Sequence, residues 1–190
     1  RKLAACDVCI MSPVKCHYAA GTCREPQWAK SHCHVPHIVY LANTSGVKVG
    51  ITRVNQMPTR WIDQGATQAK PIARVQTRHQ SGLLEVLLAR QVGDRTAWQA
   101  MLKGNNKDQD LEGIREGLVH ACGAEIEDLK QLYGSESFQI LEDAPEIRIK
   151  YPVRNWPEKV KAHNLDKNRF VEGVLMGIKG QYLMMDTGVL

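Results

Sequence analysis

The chain has 190 residues, 43% apolar and 24% charged, with 15 Gly, 8 Pro and 6 Cys. That length suits one domain with attachments or two small domains, and an apolar fraction near the globular average excludes wholesale disorder or a collagen-like repeat. No run approaches the roughly 18 apolar residues that span a bilayer, and no charged segment leads into an apolar one as in a secretory signal. A cytoplasmic location with no membrane partner is therefore expected. The chain opens on Arg1 rather than Met, as a trimmed or processed piece would.

The net charge of +5 conceals a division along the chain. Residues 1–103 carry 14 Lys/Arg against 5 Asp/Glu, whereas residues 104–190 carry 11 against 15. A basic front half joined to an acidic back half suggests a polyanionic partner, most often DNA or RNA, although many ordinary domains are mildly basic.

Five of the six cysteines, Cys6, Cys9, Cys16, Cys23 and Cys33, fall within the first 33 residues. Cys6 and Cys9 are spaced C-x-x-C, which lets two thiolates meet one ion from a tight turn. Tetrahedral Zn²⁺ takes four S or N ligands, and Cys16, His17, Cys23, Cys33 and His34 offer the remainder. A stretch this short builds no core of its own, so a structural Zn²⁺ would supply its folding energy. Redox chemistry at C-x-x-C and a disulfide framework are the alternatives. Cys122 stands alone in a helical-looking run and reads as a small buried apolar residue.

From His37 the sequence runs HIVYLANTSGVKVGITR. The β-rich runs Ile38–Leu41 and Val47–Ile51 flank Asn43-Thr44-Ser45-Gly46, so a β-hairpin is expected. Pro58 suits the first turn of a short helix through Thr59-Arg60-Trp61-Ile62 that Gly65 ends. Ile72 to Thr77 alternates like a third strand. Ser81 then offers a cap for a helix with Leu83, Leu84, Leu87 and Leu88 at helical spacing and Glu85 beside them.

These residues resemble the GIY-YIG nuclease superfamily. Ile38-Val39-Tyr40 matches its first motif, Lys48-Val49-Gly50 its second, Arg60 follows the glycine by about ten residues, and Glu85 lies in a later helix. The front of the chain is also similar to an uncharacterised prokaryotic group that joins a Cys-rich start to such a hairpin. The resemblance covers residues 37–103 and implies a phosphodiester hydrolase. In such an enzyme Tyr40 accepts a proton from the attacking water, Arg60 clamps the phosphate, and Glu85 holds one Mg²⁺ or Mn²⁺. Lys48 replaces the second motif tyrosine, where it would touch phosphate or lower the pKa of Tyr40. The family's later Asn has no clear counterpart, since Asn105 and Asn106 lie far along the chain. Arg53, Arg74 and Arg78, with His79, would extend a phosphate-tracking surface if they share a face. Trp61 would stack on a base or anchor the small core.

Past Trp98, Leu111, Ile114 and Leu118 mark one amphipathic helix and Ile126, Leu129 and Leu132 another. The loop Lys103 to Asp110 is the best candidate for mobility. From Phe138 onward short β-like runs with Gly173, Gly177 and Gly180 suggest a small barrel or sheet, where Lys179 and Tyr182 either contact nucleic acid or simply pack. No P-loop, G-x-S-x-G, H-E-x-x-H or dinucleotide fingerprint is present. The expected protein is α+β in three parts: a zinc-bound segment (1–36), a GIY-YIG-like antiparallel sheet with flanking helices (37–134) and a β-rich unit (135–190). Three functions suit it: a metal-dependent nuclease, a nucleic-acid-binding module without catalysis, or a zinc-containing protein-interaction adaptor.

Overall fold

The computed structural model describes residues 5–93 and 97–190, with side chains from residue 8 onward in the first segment. The chain is α+β. Helix α1 (Ala5–Met11), a single 3-10 turn at Pro13–Lys15 and helix α2 (Pro26–His32) lead into a five-stranded antiparallel sheet. Its strands are β1 (His37–Asn43), β2 (Val47–Arg53), β3 (Gln68–Val75), β4 (Phe138–Ile140) and β5 (Ile147–Arg148). The order is β2-β1-β3-β4, with β5 joining the same edge of β3 at Gln68–Ala69.

The hairpin forms as expected, with β1 one residue longer at its outer end and two at the turn and β2 two longer at its outer end, and with Tyr40 opposite Gly50 and Ala42 opposite Lys48. Every residue of β1 is buried, because the strand is central and covered on both faces. Val39 and Leu41 point to one core with Leu84, Leu87, Leu88, Leu111, Leu118, Cys122, Ile126 and Phe138. Ile38, Tyr40 and Ala42, the alternate set, point to a second cluster around Trp61. The third strand begins at Gln68, earlier than the alternation at Ile72 suggests. Its polar start is buried but satisfied: Gln68 bonds Asn43, Gln109 and Glu146, and Lys70 donates to the Ala144 carbonyl and pairs with Glu112. The β1–β3 register shifts between Val39 and Tyr40, whose partners are Ala73 and Pro71, a bulge that accommodates the proline.

Helix α3 (Thr59–Asp63) crosses the Trp61 side of the sheet, and Gly65 at φ +71° follows it. Helix α4 (Arg78–Ala89) begins three residues before the expected Ser81. Thr77 caps it, and Thr77 with Gln80 forms a reciprocal capping box. Ser81 lies inside the helix, buried, donating to the Arg78 carbonyl. Helices α5 (Trp98–Met101), α6 (Leu111–Ala121) and α7 (Gly123–Tyr133) follow, the last two at the predicted leucines and isoleucines. Cys122 is 2% exposed in the main core, as a small apolar residue would be.

Beyond residue 134 the chain does not leave the sheet at once. Strand β4 pairs Ala73–Val75 and β5 pairs Gln68–Ala69, so the central sheet includes residues expected in the C-terminal unit. A separate three-stranded antiparallel sheet, β6 (Leu175–Lys179), β7 (Tyr182–Met185) and β8 (Gly188–Val189), then packs Met184 and Val189 against Met101 and Leu102. Lys179, considered as a nucleic-acid contact, is fully buried. Its ammonium donates to the Met101 carbonyl at 2.9 Å and lies 5.5 Å from the Tyr151 ring and 5.2 Å from the Trp156 ring. Tyr182 stacks on Trp98. The loop 103–110, expected to be mobile, is pinned to the strand ends: Asn106 donates to the Thr44 carbonyl, Asn43 to that of Lys107 and Gln68 to that of Gln109. Among the described residues no helix is long and apolar enough to cross a membrane.

Candidate functional site

Alternation in β1 turns Tyr40 toward α3, and the register places Gly50 directly across from it. The phenol ring lies beneath Gly50: a Cβ there would sit 2.8 Å from both Cζ and the hydroxyl oxygen of Tyr40. Glycine at this position is a packing requirement, since its backbone φ is not positive. The ring meets Trp61 edge-on, with centroids 5.7 Å apart. The short helix α3 brings Arg60 and, at its C-cap, Gln64 to the same place. The Gln64 amide lies 3.0 Å from the Tyr40 hydroxyl; with its nitrogen turned to that hydroxyl, its oxygen accepts from Arg60 Nη2 at 3.3 Å and Nε at 3.2 Å. That orientation gives each group a complementary partner.

Burial pushes the Tyr40 hydroxyl up to about 12, and the Glu85 charge adds to the rise, while the Arg60 guanidinium opposes it by charge and hydrogen bond. A phenol held neutral this firmly is a poor proton acceptor near neutral pH. Tyr40 is the floor of the site and a brace for Arg60.

Above that floor opens a cleft of about 290 Å³ lined by Lys48, Gly50, Arg60, Gln64, Arg78 and Glu85, with Ile10, Met11 and Pro13 forming one wall. Three elements, β2, α3 and α4, thus bring three cationic side chains and one carboxylate to a single cavity. This suits a phosphate, whose oxygens accept from guanidinium and ammonium donors. Glu85 is the one carboxylate among the described lining residues, so a Mg²⁺ or Mn²⁺ held there would take the rest of its oxygen ligands from water and substrate, as Mg²⁺ commonly does.

The remaining candidate residues are dispersed. Arg78 lines the cleft, and it is also a clamp: its Nη2 donates to the Ile10 carbonyl at 2.6 Å. Arg53 ends β2 opposite His37, and Arg74 lies exposed on β3 opposite Ile38; neither lines the cleft. Trp61 is 3% exposed within the second cluster, so it anchors the core and offers no face for a base. His79 stacks edge-on with Tyr133, and burial lowers its pKa. Gln64, absent from the sequence reading, carries no local signal beyond its position at a helix end.

The N-terminal segment holds a second cavity, of about 100 Å³. Cys9, Cys16, Cys23 and Cys33 all line it, together with Arg24 and Arg78. None of the four is in a disulfide. The side chain of Cys6 lies outside the described residues. Among the described residues no three His, Cys, Asp or Glu side chains are gathered into a ready-made metal cage, so the thiols surround the space rather than meet at a point. His17 and His34, the other donors weighed from sequence, do not line it.

Fold and cleft together define an α+β protein whose hairpin, short helix and capped helix gather basic groups around one carboxylate. The chain belongs to the family described as Protein of unknown function (DUF2797), whose profile matches residues 1–190. No curated protein and no solved structure matches it.

Proposed function

We propose that the chain acts on nucleic acid, as a divalent-metal-dependent phosphodiester hydrolase of GIY-YIG type. One observation carries the reading: Lys48, Arg60 and Glu85, selected by their order in sequence, line one cleft over Tyr40 and Gly50. Arg60, braced through Gln64, and Lys48 bind the phosphate and offset the charge that gathers on it in the transition state. Glu85 holds Mg²⁺ or Mn²⁺, which when bound polarises the phosphoryl group and activates water. Arg78 extends the positive wall. The excess of basic residues in the front half would draw DNA or RNA toward this side. Cys9, Cys16, Cys23, Cys33 and Cys122 are in no disulfide, which fits a reducing, cytoplasmic setting.

The burial of Tyr40 favours a second reading, a nucleic-acid-binding module that keeps the cleft without catalysis. Labelled single- and double-stranded DNA and RNA, incubated with the protein and Mg²⁺ or Mn²⁺, separate the two. The hydrolase reading expects cleavage that falls about 100-fold or more in Glu85→Gln and Arg60→Ala, with circular dichroism unchanged. Binding that weakens steeply with salt, without cleavage by any form, supports the binding module instead. Neither cleavage nor binding would overturn both readings and leave the interaction adaptor.

A further inference from the structure

The N-terminal segment has almost nothing to hold it together by packing. Among residues 8–36 only Pro13 and Ala29 are buried, and its two helices are seven residues each. A segment without a core needs a covalent or metal staple to keep one shape. Here the four described cysteines of the segment, spread from Cys9 to Cys33, line one small cavity, and none of them is in a disulfide. Four sulfur donors around a space of about 100 Å³ match in kind and number the demand of Zn²⁺ for tetrahedral soft ligands. A second observation points the same way. Zn²⁺ with four thiolates carries a net charge of −2, and the charged residues lining that same cavity are two guanidinium side chains, Arg24 and Arg78, and one carboxylate, Glu25, a net positive wall.

The segment is moored to the first turns of α4 by several contacts. Arg78 Nη2 donates to the Ile10 carbonyl, the Arg78 backbone N–H donates to the Cys33 carbonyl at 2.7 Å, and the His79 ring hydrogen-bonds the Val14 backbone. Pro13 fits against Gly82 so closely that a Cβ there would approach to 2.6 Å. The same stretch, Ile10 to Pro13, is the wall of the cleft that holds Lys48, Arg60 and Glu85.

We propose that Cys9, Cys16, Cys23 and Cys33 bind one structural Zn²⁺ in a closed four-thiolate site, and that this site holds residues 8–16 in place as a wall of the cleft. On binding, each thiol loses its proton to solvent, so four S–H bonds give way to four Zn–S bonds with no change in oxidation state. Arg24 and Arg78 compensate the charge of the complex, and Arg78 joins the metal site to the cleft. The inference stands independently of whether the cleft cuts phosphodiesters.

The test uses the full chain, purified under reducing conditions from zinc-replete medium. Elemental analysis is expected to give one Zn per chain, with release following titration of four thiols by an organomercurial. Cys9→Ser, Cys16→Ser, Cys23→Ser and Cys33→Ser each lose the metal, whereas Cys122→Ser, in the main core, retains it. Because the first four variants risk misfolding, Co²⁺ titration of the wild-type chain supplies an independent readout. Strong sulfur-to-cobalt charge transfer with tetrahedral d–d bands supports the site; pale octahedral spectra overturn it. Hydrogen exchange reports the wall: chelation is expected to raise exchange over residues 8–16 and the first turn of α4, leaving β1–β3 protected. No zinc after reconstitution, or its retention in any one of the four variants, overturns the ligand set. Zinc bound with exchange over 8–16 unchanged by chelation overturns the wall.

Discussion

Substituting Gly50 by alanine tests the floor of the cleft directly. The new methyl would lie 2.8 Å from Cζ and the hydroxyl oxygen of Tyr40 and 3.0 Å from Cε2, where carbon atoms ordinarily keep about 3.5–4.0 Å. Tyr40 has nowhere to retreat: it is fully buried, edge-on to Trp61 and held by Gln64. Overpacking of this kind costs about 1–3 kcal/mol, and replacing a strand glycine returns about 0.5–1 kcal/mol of chain entropy. The net expectation is a loss of about 1–2 kcal/mol, which for a chain of this size lowers Tm by about 2–8 °C. Urea denaturation and calorimetry measure it, with Gly46→Ala as control because a Cβ at Gly46 meets nothing within 4 Å. The decisive step is a double-mutant cycle with Tyr40→Leu, which removes the atoms that clash. In that background Gly50→Ala becomes neutral or mildly stabilising. An equal cost in both backgrounds would refute the placement of the Tyr40 ring under Gly50.

Other residues give separate expectations. His37 is fully buried, with Nδ1 2.7 Å from the Val35 carbonyl and Nε2 without a hydrogen-bond partner, and burial lowers its pKa to about 4. The unfolded chain binds the extra proton between about pH 6.5 and 4, so stability falls as pH drops through that window, by about 3 kcal/mol in all; denaturation of His37→Leu should lack this component. Lys179, lowered to about 8 by burial, carries a consequence of the same sign at alkaline pH. The unfolded chain keeps its proton up to about 10.5, so stability rises between pH 8 and 10.5 in the wild type and less in Lys179→Met, as thermal melts across that range would show. Glu112→Ala is expected to cost about 1–3 kcal/mol in urea unfolding although Glu112 is half exposed, because the buried Lys70 ammonium then keeps only the Ala144 carbonyl. If the cleft tracks phosphate, Arg60→Ala lowers the salt slope of DNA or RNA binding by about one, while Arg74→Ala, outside the cleft, leaves cleavage unchanged.

The parts of the fold legible in the sequence are those where one pattern decides. Two β-rich runs flanking Asn43-Thr44-Ser45-Gly46 specify the hairpin, and leucines and isoleucines at helical spacing specify α4, α6 and α7. Lys48, Arg60 and Glu85 were legible as a set only through the resemblance to the GIY-YIG pattern, since each taken alone reads as an ordinary surface charge. What escaped depends on partners distant in sequence. Gln68 and Lys70 look like loop residues until the 141–146 segment and α6 supply their hydrogen bonds. Lys179, in an alternating strand, suggests an exposed face, and only Tyr151, Trp156 and the Met101 carbonyl make its burial tolerable. Trp61 beside Arg60 offered both an anchor and a stacking surface, and the turn of α3 decides for the anchor. The start of α4 was legible in principle, since Thr77-Arg78-His79-Gln80 has the T-x-x-Q form of a capping box.

The two-sided position of β3 bears on how the chain emerges during synthesis. Its edge toward β1 closes with strands made just before it, whereas its other edge waits for Phe138 to pair with Val75 and for Ile147 to pair with Ala69. Until the ribosome has delivered those late strands and α6 and α7 behind the sheet, a nascent β2-β1-β3 sheet presents an open edge on β3 and an incompletely covered apolar face. The growing polypeptide is therefore most vulnerable to mispairing midway through translation, and slowing elongation across the codons for residues 76–137 would lengthen that exposure.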